Sequence, residues 1–106
     1  MRKVYEDLLA EELAEVIDLY YDSKSIEFDE EIELESELLI TTKGTIDYTY
    51  RREDDTNSVY ITWIDVNIYS IEIAQYRDGE QITPTIQHLN PNFVEKYLEQ
   101  YLMNKS

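Results

Sequence analysis

From Ile26 to Ile40 apolar and acidic residues alternate almost without interruption. The even positions read Ile26, Phe28, Glu30, Ile32, Leu34, Ser36, Leu38, Ile40, and the odd ones Glu27, Asp29, Glu31, Glu33, Glu35, Glu37 and then Leu39. Successive side chains in a strand point to opposite faces. The stretch therefore predicts an extended ribbon, apolar on one side and anionic on the other. Glu30 breaks the apolar parity, which predicts a bend or bulge near Asp29–Glu31. A turn at Thr42-Lys43-Gly44, with Gly44 left-handed, sets Ile40 opposite Ile46, Leu38 opposite Tyr48 and Glu35 opposite Arg51. All apolar residues then share one face.

On either side of this ribbon the period changes. Tyr5, Leu9, Leu13, Val16, Ile17 and Tyr20 recur at helical spacing opposite Asp7, Glu11, Glu15, Asp18 and Asp22, predicting a helix over residues 4–21. Arg51 to Ser58 reads as a polar loop. Val59 to Tyr76 is a second long extended stretch whose apolar parity shifts twice, as two bulges or burial on both faces would produce. Asp78-Gly79 is a two-residue hairpin signal that sets Ile73 opposite Pro84 and Ile71 opposite Ile86. Pro84 cannot donate to a ladder, so its strand is an edge there. Asn90 as cap, Pro91 in the first turn and a Leu89–Val94 staple open a last helix with the stripe Val94, Tyr97, Leu98, Tyr101, Leu102. The expected architecture is a single α+β domain over residues 1–106: a helix, an antiparallel meander of four to five strands, and a helix.

Charge changes what this fold is expected to do. The net charge is −15, of which −11 falls on residues 1–37. Such a surface repels phosphate backbones and anionic membranes, so neither nucleic acid nor membrane is an expected direct partner. There are no cysteines, which removes disulfides, thiolate zinc sites and thiol catalysis. No apolar run approaches the roughly 18 residues of a membrane span, and the acidic start is unlike a secretory signal. The expected compartment is the cytoplasm.

Candidate chemistry is sparse. His88, the one histidine, reads as a strand-end or loop residue. With two glycines the chain has no phosphate-cradling loop, and no serine sits in a nucleophile elbow. Glu53, Asp54, Asp55 and Asn57 are oxygen ligands of the kind calcium takes, but they lack EF-hand spacing and adjoin Arg51 and Arg52. The expectation is a non-enzymatic protein without cofactor or metal. A small enzyme or calcium module is the remote alternative.

The acidic positions carry the functional expectation. Glu27, Asp29, Glu31, Glu33, Glu35 and Glu37, joined by Glu11, Glu15 and Asp18 of the first helix, form a surface suited to a basic protein partner. The sharpest version is nucleic-acid mimicry, as in a phage or mobile-element inhibitor of a host defence protein. The second expectation is an acidic homodimeric chaperone or adaptor that uses an apolar sheet face around Tyr60, Trp63, Tyr69 and Tyr76. In size and charge the chain is similar to type III secretion chaperones and to phage-borne inhibitors of host defence, without a shared motif.

Overall fold

The helical period and the alternating period each become the element they predict. The computed structural model describes residues 4–19, 24–35, 37–53 and 59–105. In order these form α1 (Tyr5–Val16), β1 (Ser25–Glu35), β2 (Leu38–Arg52), β3 (Val59–Arg77), β4 (Glu80–Ile82) and α2 (Pro91–Lys105). The four strands make one antiparallel sheet in the order β1-β2-β3-β4. This is the expected α+β architecture. Tyr20, Asp22, Ser36, Asp54, Asp55 and Asn57 lie outside the described residues.

α1 is shorter than its pattern suggests. Ile17 is already extended, its N–H still bonded to the Leu13 carbonyl. Val16, expected on the buried stripe, is therefore exposed, while Ala10 and Ala14 complete the buried stripe of Leu9 and Leu13. No basic residue occupies the last turn, so no lysine or arginine there offsets the negative pole of the helix. α2 begins as expected: Asn90 Oδ1 accepts the Asn92 N–H at 3.0 Å.

The first hairpin is not where the glycine suggests. β1 ends at Glu35 and β2 begins at Leu38, with Glu37 left-handed at φ 63° between them, and β2 runs straight through Thr42-Lys43-Gly44. Ile40 consequently pairs with Ile32, and Ile46 with Ile26. Hydrophobic parity could not distinguish this register from the expected one, because both keep the even residues on one face. Gly44 is required for contact instead. A Cβ there would lie 2.5 Å from the Asn67 carbonyl oxygen and 2.8 Å from Cζ of Phe28. The expected bend at Asp29–Glu31 is absent; the irregularity of β1 lies between Glu33 and Glu35.

β3 resolves its shifting parity with two bulges. Thr62 and Tyr69 are the extra residues, since the register with β2 slips between Thr49 and Tyr50 and again between Lys43 and Gly44. Each slip returns apolar residues to the inner face: Ile61 before the first, Val66 and Ile68 between them, Ile71 and Ile73 after the second. The Asp78-Gly79 turn has both residues at positive φ, 54° and 83°, as a type I′ turn demands. Its register is the expected one, but pairing stops at Ile82, two residues before Pro84, so the expected Ile73–Pro84 and Ile71–Ile86 pairs do not form.

Both helices cover the same face of the sheet. α1 packs on β1 and α2, and α2 on β3. Leu9, Leu13, Val94, Leu98 and Leu102 meet Phe28, Leu38, Ile40, Ile46, Tyr48 and Val66 in one core. The opposite face has no helix against it among the described residues. No helix is long and apolar enough to cross a membrane.

Candidate interaction surface

β1 is an edge strand, and its geometry follows from one bond. The Tyr48 N–H donates to the Lys24 carbonyl at 2.9 Å, which makes Lys24 and Tyr48 a hydrogen-bonded pair. Such pairs alternate along an antiparallel ladder. Ile26, Phe28, Glu30 and Ile32 therefore turn their main-chain groups toward β2, while Ser25, Glu27, Asp29, Glu31 and Glu33 turn theirs outward. The carboxylates of those last four residues also stand exposed on the face away from the helices. They repeat every ~6.6–6.8 Å.

Their neighbours on β2 are Thr45, Lys43, Thr41 and Leu39. Lys43 is the one cation set in this row among the described residues, and its Nζ lies 3.9 Å from Asp29 Oδ2. Both side chains are well exposed, so this pair is worth little. Asp47, Asp65 and Glu72 continue the negative charge across β2 and β3 on the same face.

The other expected carboxylates go elsewhere. The irregularity at Leu34 turns Glu35 toward the helix side, where it accepts a hydrogen bond from the Tyr5 hydroxyl at 3.1 Å. Glu37 occupies the hairpin turn, its N–H 3.3 Å from Glu33 Oε1. Glu11 and Glu15 are exposed on α1, and Glu11 lies close enough to Tyr101 of α2 to raise the pKa of its phenol. Asp18 does join β1. With Val16, Ile17, Ile26, Glu27, Phe28 and Glu30 it lines a groove of about 380 Å³ between the end of α1 and the strand.

Tyr60, Trp63 and Tyr69 are exposed, Tyr69 most fully because it is the bulged residue. Tyr76 is half-buried beside β4. These aromatics are spread along β3 over roughly 50 Å at ~3.3 Å per residue, with Asp65, Asn67 and Glu72 between them. They do not form one apolar patch. His88 is exposed, and among the described residues no three acidic or histidine side chains converge as metal ligands.

No protein-family model, curated protein or solved structure matches this chain.

Several acids have structural duties that their pattern hides. Glu99 Oε1 and Glu95 Oε2 accept the main-chain N–H groups of Val66 and Ile68 at 3.1 and 2.7 Å, closing part of the free edge of β3. Glu6 Oε2 accepts the N–H of the capping Asn90 at 3.1 Å. Asp7 accepts a hydrogen bond from the Tyr101 hydroxyl. That bond, followed by burial and the negative charges of Asp7 and Glu11, pushes the phenol up to about 12. The only sequence sign of these roles was position: Glu95 and Glu99 are one turn apart on α2, and Glu6 and Asp7 open α1.

Proposed function

We propose that the chain is a non-enzymatic binding protein that engages a basic protein through the anionic face of β1 and the adjoining end of α1. The observation that supports this reading is the outward row Glu27, Asp29, Glu31, Glu33 on an edge strand, with Lys43 as its one interspersed cation among the described residues. A face that served solubility alone would more often mix both signs. Rows of carboxylates at this spacing attract lysine- and arginine-rich surfaces over about a Debye length, and they steer encounter. The chain can thus occupy a site built for a nucleic-acid backbone, which is the mode of an inhibitor acting by mimicry. Cytoplasmic action fits this reading.

The test is capture of partners from the native host with the wild type and with an E27Q/D29N/E31Q/E33Q variant. Basic proteins retained by the wild type at low salt, released by about 0.5 M NaCl and lost with the variant support the proposal. Partners held equally by both at high salt sink it. The exposure of Tyr60, Trp63 and Tyr69 favours a second reading, a homodimer through the sheet face. Light scattering that gives a dimer in high salt, reduced to a monomer by Tyr69→Glu, would support it.

A further inference from the structure

We propose that the open edge of β1 receives an extended basic segment of the partner as a fifth strand, an inference that rests on the anionic docking surface proposed above and states how the partner is held. The two free edges of the sheet are treated differently. On β3 two carboxylates of α2 already accept the outward N–H groups of Val66 and Ile68. On β1 no described residue reaches the outward main-chain groups of Glu27, Asp29, Glu31 or Glu33. An exposed row of main-chain donors and acceptors is a template for another strand.

What surrounds that edge selects the strand. A segment added ~4.7–4.9 Å from β1 places alternate side chains on the two faces of the sheet. Those on the outer face fall beside the four carboxylates, which favours lysine or arginine at every second position. Those between them turn toward the groove where Val16, Ile17, Ile26 and Phe28 supply apolar wall and Asp18, Glu27 and Glu30 line the rest. The matching sequence alternates basic and small apolar residues. A second copy of this chain does not fit, because β1 against β1 would set the acidic rows side by side.

The probe is an end-blocked peptide of about nine alternating Lys and Val residues, matched in length to the outward-facing stretch. Three measurements accompany it. Glu31→Gln removes a charge alone. Glu31→Pro removes the same charge and also the outward N–H, and leaves the β1–β2 ladder intact because that N–H does not face β2. Amide exchange by NMR reads Glu27, Asp29 and Glu31 individually, without any substitution. Strand addition requires binding that falls a few-fold with E31Q and at least tenfold further with E31P. It also requires new protection at the three odd amides, and loss of binding when alternate peptide nitrogens are methylated. Equal binding of the methylated peptide, or no new protection, overturns strand addition while leaving charge-led docking standing. Peptide binding indifferent to E31Q and to salt overturns the anionic surface itself. If E31P fails to fold, the amide and methylation measurements decide alone.

Discussion

Thr42 shows what a single side chain costs in this sheet. It sits fully buried on the inner face, between Glu30 of β1 and Ile71 of β3, and its hydroxyl has no hydrogen-bond partner among the described residues. An unpaired buried hydroxyl costs about 1–3 kcal/mol. Thr42→Val keeps the branched shape and removes the orphan oxygen. The variant is expected to be more stable by about 1 kcal/mol, seen as a higher urea midpoint at unchanged slope. Tyr101 gives the pH counterpart. Its folded pKa, about 12, lies above the ordinary 10.0, so between those values the folded state holds a proton that the unfolded chain has released. The resulting stability is complete below pH 10 and is lost as pH rises through 12. Melting curves at pH 9 to 12 should fall more steeply for the wild type than for Tyr101→Phe, and Asp7→Asn should bring the phenol titration at 295 nm back toward its ordinary value. Neither residue announces itself in the sequence. Thr42 follows the even parity of its apolar neighbours, and Tyr101 lies on an apolar stripe whose tip meets a carboxylate 94 positions away.

Elements were legible where the pattern is local, and misplaced where a residue type has two uses. The α2 start was readable because Asn90, Pro91, Leu89 and Val94 act within a few positions of one another. The Asp78-Gly79 turn was readable because few residues tolerate two successive positive φ values. Gly44 misled because glycine also serves close approach: the Asn67 carbonyl of β3 and the Phe28 ring both crowd it. The actual turn uses Glu37 at positive φ, which is uncommon for a residue with a Cβ. The pairs Ile32–Ile40 and Ile40–Ile73 keep the register on both sides of β2 beside it. Within the candidate surface, Glu27, Asp29, Glu31 and Glu33 stand on the exposed face that alternation gives them, while the irregularity at Leu34 diverts Glu35 and the turn takes Glu37. The edge of β3 was not legible at all, since its cover comes from a helix far along the chain. Removing both caps with Glu95→Ala and Glu99→Ala should cost about 2–4 kcal/mol, since each bond is charge-assisted and part-buried. Amide exchange should quicken first at Val66 and Ile68. Unchanged exchange there would show that the carboxylates contribute nothing to closing the edge.

At the scale of the whole molecule, charge acts on folding and on docking with opposite signs. A chain of net charge −15 repels itself most when compact. The outward row adds local repulsion, because its ~6.6–6.8 Å spacing is shorter than the ~10 Å Debye length at 0.1 M salt. Raising NaCl from 10 mM to 0.5 M should therefore strengthen the fold. Relief of about 1 kcal/mol corresponds to a melting-temperature rise of about 4–8 °C for a domain near this size. Chloride is the right anion, because sulfate stabilises folded proteins by exclusion whatever their charge. The E27Q/D29N/E31Q/E33Q variant should begin with a higher melting temperature at low salt and gain less from added salt. Docking must move the other way, weakening over the same range as the partner's cations and these carboxylates are screened. The pair of measurements separates two uses of an acidic edge. If the row only guards β1 against pairing with other strands, salt raises stability and no partner is released. If it is the docking surface, each increment of salt that steadies the fold loosens the complex, and the quadruple variant is at once the more stable protein and the poorer binder.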